Sequence, residues 1–203
     1  MTVDTIRGFE IHREYLDADA QLQIAEACRG VIRQAPFLRP VTAWGKPMSV
    51  RMTSAGRVGW VIERGRYRYS ANHPETARPW PPIPQEVMAV WQAASGWSAS
   101  PDCCLINWYG PEARMGLHQD KDEGTFEAPV VSISLGDPAR FRMGGLARSD
   151  PTESTVLASG DVVVMGGAAR LAFHGVDRVL ADGLPNPVTR RGRLNLTLRV
   201  VTG

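Results

Sequence analysis

A mostly β protein, with a double-sheet core preceded by an α/β part, is the architecture this sequence predicts. Three observations carry that expectation. Beyond Cys103, strand-length pieces follow one another (CLINWY, PVVSISLG, ARFRMGG, STVLASG, DVVVMGG, LAFHGV, GRLNLTLRVV), punctuated by Gly, Pro and Asp. Many short strands at such spacing form an antiparallel sandwich or barrel. Ahead of Cys103, two stretches space their apolar residues for helices. The 203 residues, 43% hydrophobic and 22% charged, are ordinary for a globular chain and can bury a core without staples.

Each element has a local reason. Residues 8–15 (GFEIHREY) alternate as a short strand. Asp17 or Asp19 can cap a following helix, with Leu22, Ala25, Cys28 and Ile32 on one face and an end near Ala35, because Pro36 follows. From Met48 to Ser70 the text is β-like, with turns at Gly56, Gly59 and Gly65. The five prolines in residues 74–84 forbid regular structure and read as a rigid surface connection. Glu86 to Trp97 fits a short helix with Val87, Val90, Trp91 and Ala94 inward. The expected organisation is one domain over 1–203, with helices and accessory β structure over about 1–100 and the β core over about 101–203.

Composition excludes several functions. A formal charge of +2 does not by itself mark a nucleic-acid binder. The three cysteines, Cys28 and the pair Cys103-Cys104, lack CxxC spacing and suit a reducing cytoplasm. Cys103 and Cys104 read as small buried hydrophobes, and His12 and His73 as surface residues. No run approaches the roughly 20 apolar residues of a membrane span.

The chemistry-bearing residues are fewer. In LHQDKDE, His118 and Asp120 share a face if the backbone is extended, and His174 lies in another strand-like piece. A histidine, a carboxylate two residues on and a distant histidine form the two-His-one-carboxylate set that leaves iron positions open. Taken alone the pattern is weak, and a solvated acidic turn explains it more often. In RLNLTLR, however, Arg193, Asn195, Thr197 and Arg199 fall on one face and the leucines on the other. If that face lines a barrel, its guanidiniums need an anion, and their forks suit a dicarboxylate such as 2-oxoglutarate. Arg51, Arg57, Arg64, Arg66 and Arg68, interleaved with Trp60, Tyr67 and Tyr69, suit a single-stranded nucleic acid or an ordinary solvated β edge equally well.

With these motifs the chain resembles the AlkB family of Fe(II)/2-oxoglutarate-dependent dioxygenases, most closely its bacterial DNA-repair members, from about Phe37 to the C-terminus. The resemblance implies a double-stranded β-helix (jelly-roll, cupin-like) core whose N-terminal α/β extension forms a nucleotide-recognition lid. It implies His118, Asp120 and His174 as Fe(II) ligands. Arg193, with Tyr109 and Asn195, would hold the distal carboxylate of 2-oxoglutarate. Arg199 and Asn107 would lie near its chelating carboxylate. Asp122, Trp60, Tyr67 and Arg148 would contact the substrate, with Trp60 stacking the base against His118. The implied reaction consumes O2 and 2-oxoglutarate, demethylates bases of the 1-methyladenine and 3-methylcytosine type in single-stranded DNA, and leaves formaldehyde and succinate. The enzyme would be a cytoplasmic monomer with no membrane partner. RNA or tRNA as substrate, or a catalytically silent nucleic-acid-binding module, are the alternatives. Trp108, Met165 and Arg51 depart from the family pattern and bear on strand preference and pocket shape.

Overall fold

The computed structural model describes residues 2–42, 45–63, 65–181 and 184–202. The chain opens with a hairpin, β1 (Thr2–Ile6) and β2 (Phe9–Arg13), turned by Arg7 and Gly8 at φ 52° and 84°. Positive φ at both central residues matches the twist of the flanking strands. Helix α1 (Ala18–Gln34) is capped by Asp17, whose carboxylate accepts from the Ala20 amide at 2.8 Å. It buries Ile24, Ala25, Cys28 and Val31. The sequence expectation rotated this face: Leu22 is exposed and Ile32 half-buried, because the stripe follows Ile24 rather than Leu22.

Strands β3 (Arg51–Gly56), β4 (Gly59–Glu63) and β5 (Arg66–Ser70) follow, then helix α2 (Gln85–Ala94), which buries Val87, Val90 and Trp91. The remainder is strand: β6 (Cys103–Tyr109), β7 (Met115–His118), β8 (Val130–Gly136), β9 (Ala139–Met143), β10 (Glu153–Leu157), β11 (Val162–Met165), β12 (His174–Val179) and β13 (Arg193–Arg199). They form a seven-stranded sheet ordered β1-β2-β11-β8-β13-β6-β3 and a four-stranded sheet ordered β10-β9-β12-β7. All pairings are antiparallel, and β4 and β5 stand apart as a two-stranded hairpin.

Alternation along the strands divides the core. Leu194, Leu196, Leu198, Ile133 and Ile106 pack against α1 and α2 on the outer face of the larger sheet. Phe9, Leu105, Phe141, Met143, Val163 and Val176 fill the space between the sheets. Cys28, Cys103 and Cys104 are free and buried, as small hydrophobes should be. Among the described residues no helix is long and apolar enough to cross a membrane.

The proline-rich segment is irregular and mostly exposed, as expected, but it is anchored from within. Its Trp80 is buried beneath the β4–β5 hairpin, and its indole donates to the Ser70 carbonyl at 2.8 Å. His73 is likewise buried, with Nε2 against the Pro36 carbonyl and Nδ1 accepting the Glu75 and Thr76 amides. His12 is half-buried on β2, edge-on to Tyr15. Proline content forbids a helix but does not decide burial, and a single aromatic can anchor an irregular segment. A Cβ at Gly59 would meet the Trp80 ring at 2.3 Å. Gly59→Ala is therefore expected to cost about 1–3 kcal/mol through overpacking, read as a lower midpoint in thermal unfolding.

Candidate active site

Two imidazoles are placed side by side by the ladder itself. His174 opens β12 directly opposite His118, the last residue of β7, and their ring centroids lie 4.6 Å apart. Beyond His118 the chain leaves the sheet, and residues 119–122 have no regular structure. That loop turns Asp120 back onto the pair, with Oδ1 3.8 Å from His118 Nε2 and Oδ2 3.9 Å from His174 Nε2. Candidate ligand atoms of the three residues all lie within 4.8 Å of one another. Each imidazole sets its Nδ1 against a carbonyl two residues earlier, His118 on Gly116 at 2.9 Å and His174 on Ala172 at 3.0 Å. An Nδ1–H donated there leaves Nε2 as a lone pair facing Asp120, the tautomer a metal requires.

Charge is arranged to match. Burial alone would raise the Asp120 carboxyl, but Arg199 and the two imidazoles hold it well below the usual carboxylate range. Arg199 donates to Asp120 Oδ2 from Nη2 at 2.7 Å and reaches Glu123 from Nε at 3.4 Å. Burial, then the neighbouring His118, push His174 down to about 4 against the pull of Asp120. Asp120 is thus anionic and His174 neutral at neutral pH, the states in which both donate electron pairs.

These residues open into a cavity of about 480 Å³ between the sheets. One wall is β13, whose Arg193, Asn195, Thr197 and Arg199 all line it while its leucines pack on the helices. Asn107 and Tyr109 of β6 stand opposite Asn195 and Arg193 in register and line it too. Asn195 donates to Ser132 Oγ at 2.8 Å. Arg193 is 1% exposed, and burial pushes it down to about 10, still cationic at neutral pH. Its Nη2 donates to Ser134 Oγ at 2.6 Å, yet among the described residues no carboxylate is hydrogen-bonded to it, and its Nε and the Asn107 Oδ1 are buried without a hydrogen-bond partner. A buried guanidinium lacking an anion, at the far end of a cavity from a His-Asp-His cluster, fits a bound dicarboxylate reaching a metal.

The hairpin β4–β5 covers the mouth. Trp60 stacks on Tyr67 (centroids 5.2 Å, planes 19° apart), and its indole donates to Asp122 Oδ2 at 2.9 Å. Arg148 donates to the Leu117 carbonyl at 2.8 Å, with its guanidinium over Phe173. Trp60, Tyr67, Asp122 and Arg148 all line the cavity. The basic stripe is less uniform than its sequence. Arg57 pairs with Asp102 and Arg68 with Glu63, Arg66 is exposed, and Arg64 lies outside the described residues. Of the three departures only Met165 lines the cavity; Arg51 and Trp108 stack on each other at the sheet edge, 5.5 Å apart.

Strand alternation continued through LHQDKDE would place His118, Asp120 and Asp122 on one face and turn Glu123 away from the site, and there the structure differs. The strand ends at His118, so a period of two no longer applies, and the Glu123 side chain is 1% exposed. It accepts from the Tyr69 hydroxyl at 2.6 Å and faces both Arg170 and Arg199. Arg170, also buried, was missed as well. Its one sequence signal was a lone charge in the apolar stretch before His174.

Fold and site together define a class, the non-haem iron oxygenases that use a 2-oxo acid. A family model described as the 2OG-Fe(II) oxygenase superfamily matches residues 8–199. Fe(II), 2-oxoglutarate and O2 are the requirements of that class and of this chain. An alpha-ketoglutarate-dependent dioxygenase AlkB homolog from Caulobacter vibrioides is 51% identical over 194 residues, covering 96% of this chain and 88% of the relative. The DNA N(6)-methyladenine demethylase ALKBH1D of Arabidopsis thaliana is 31% identical over 95% of this chain and 49% of its own length. The solved structure of OsALKBH1 superposes with a TM-score of 0.82 at 32% identity, covering 98% of this chain and 100% of that one. The chain belongs to the AlkB family of Fe(II)/2-oxoglutarate-dependent dioxygenases.

Proposed function

We propose that the protein oxidatively removes N-methyl groups from alkylated DNA bases of the 1-methyladenine and 3-methylcytosine type, preferring single strands. One observation carries this reading. The His118–Asp120–His174 cluster and the buried Arg193, whose Nε has no hydrogen-bond partner, share one cavity, whose mouth is lined by Trp60, Tyr67 and Asp122. Bound Fe(II) supplies the oxidation: 2-oxoglutarate and O2 become succinate and CO2, and the methyl group becomes a hydroxymethyl that leaves as formaldehyde.

The chain's own residues do the rest. His118, Asp120 and His174 hold the metal through Nε2, a carboxylate oxygen and Nε2. Arg193 takes the distal carboxylate of 2-oxoglutarate through its fork, with Tyr109 and Asn195 beside it. Arg199 and Asn107 steady the chelating end. Methylation at those ring nitrogens leaves the base cationic, so Asp122 favours the damaged base by charge. Trp60 and Tyr67 offer faces for the base, Trp60 holding it against His118, and Arg148 contacts the substrate beside it. A target base must leave its stack to reach the metal, which favours weakly paired strands. The protein acts as one catalytic unit over 1–203, as a monomer in the cytoplasm. Residues about 1–100 provide the lid and its supports, and about 101–203 the catalytic core.

The test is formaldehyde release from matched methylated oligonucleotides with Fe(II) and 2-oxoglutarate supplied or withheld. Release from single-stranded DNA that needs both is expected; faster turnover of the matched RNA overturns the DNA assignment. No release from any of them overturns demethylation and leaves the silent-module reading. Asp122→Asn should raise KM for the cationic 3-methylcytosine strand by roughly 5- to 10-fold, the scale of about 1 kcal/mol for one charge contact in water. For a neutral alkylated base KM should change little.

A further inference from the structure

Four buried charged side chains meet at the metal cluster, and the proposed chemistry uses only two of them. Asp120 and Arg199 belong to the site; Glu123 and Arg170 have no assigned task. We propose that Arg170 and Glu123 are positioning residues that fix Asp120 for metal binding, an inference that rests on reading His118, Asp120 and His174 as the metal centre.

Asp120 is held by no sheet ladder, because β7 ends two residues before it. Arg170 supplies the hold instead. Its Nη1 donates to the Asp120 backbone carbonyl at 2.7 Å, its Nε to the Ala128 carbonyl at 2.9 Å, and its Nη2 to Glu123 Oε2 at 3.3 Å. One guanidinium thereby grips both ends and the middle of the 120–128 loop. A lysine, a point charge without the planar fork, cannot reproduce those three directions. The next residues continue the grip: the Leu171 carbonyl accepts from Gln119 Nε2 at 2.6 Å, and the Ala172 carbonyl faces His174 Nδ1 at 3.0 Å. The segment 170–172 therefore sets the Asp120 loop and the His174 ring against each other.

Glu123 acts on the charge. Arg199 grips Oδ2 of the Asp120 carboxylate, while its Nε lies 3.4 Å from Glu123 Oε1. Glu123 shares Arg199 with Asp120, so a metal arriving at Asp120 does not strand the guanidinium. The same oxygen receives the Tyr69 hydroxyl from β5, so the hairpin over the cavity ends on this carboxylate. Buried ion pairs are often replaceable by apolar side chains without loss of stability, whereas removing one partner alone is destabilising, so metal binding and thermal unfolding are read side by side.

The experiment is titration of the metal-free protein with Mn(II), alongside thermal unfolding, for wild type, Arg170→Met, Arg170→Lys and Glu123→Gln. Arg142→Met, which breaks the Arg142–Asp177 pair away from the cavity, is the comparator. Arg170→Met and Glu123→Gln should weaken Mn(II) binding by roughly 10- to 100-fold, the loss typical of outer-shell partners. Arg170→Lys should recover only part of the loss, and Arg142→Met should bind as wild type. Folded Arg170 or Glu123 variants with wild-type Mn(II) affinity, whatever their melting temperature, overturn the proposal. If Arg170→Met does not fold, the isosteric Glu123→Gln decides. A wild type that binds no Mn(II) sinks the metal-centre reading itself, a result distinct from unchanged variants.

Discussion

Asp120→Ala is expected to abolish formaldehyde release from every methylated oligonucleotide, and metal binding with it. Asp120 is the one anionic ligand of the cluster and the only one that touches both histidines' Nε2 environments. Without it two neutral imidazoles remain, and no charge offsets the divalent ion. The substitution also removes the closest partner of Arg199, which sits 2.7 Å from Asp120 and is buried. Breaking a buried pair from one side costs about 3–5 kcal/mol. In chelator the melting temperature should therefore fall by roughly 6–20 °C for a chain of this size. Asp120→Asn, which keeps the shape, separates the two effects, and it too should fail in Mn(II) titration and in the formaldehyde assay. An Asp120→Ala protein that still releases formaldehyde would remove this residue from the metal centre.

Arg193→Gln has the opposite balance, a large loss of function with little or no loss of stability. The guanidinium is buried, its Nε has no hydrogen-bond partner, and among the described residues no carboxylate is hydrogen-bonded to it. Burial has already pushed it down to about 10, so the fold holds this charge at a cost. Truncating one side of a buried hydrogen-bonded charge pair costs about 2–5 kcal/mol of binding, so KM for 2-oxoglutarate should rise by roughly 30-fold to several thousand-fold. Thermal unfolding without co-substrate should show no decrease, because the variant removes a buried charge rather than a pair. Steady-state succinate production against 2-oxoglutarate concentration measures the first effect. Unchanged KM would assign Arg193 to structure alone.

The two residues show how unevenly the site was written in the sequence. The face shared by Arg193, Asn195, Thr197 and Arg199 was legible, because β13 is a regular strand and its period of two holds from end to end. His118 and His174 were legible only as histidines of two strand-like pieces; that those pieces pair with the two residues directly opposite one another is decided by the structure. Asp120 was found by spacing, but it reaches the histidines through a loop rather than along a strand. The same extrapolation past His118 turned Glu123 outward, whereas it is among the most buried carboxylates of the chain. Trp80 and His73 failed differently. Their segment's prolines announce irregular backbone, and nothing local says that the β4–β5 hairpin closes over the indole.

By itself the sequence determined what local periodicity and ligand spacing can carry. It specified a mostly β architecture behind two helices, the polar face of the last strand, and a histidine-carboxylate-histidine set matching an iron oxygenase. Only the tertiary structure decided which charges share one buried space. Arg170, Glu123 and Tyr69 come from three separate stretches of chain and converge on Asp120 and Arg199. The physical reason is range. A hydrogen-bond ladder transmits its pattern along a strand, and so leaves a trace in sequence. A buried ion network is selected by mutual desolvation of groups distant in the chain, and that exists only once the sheets have closed.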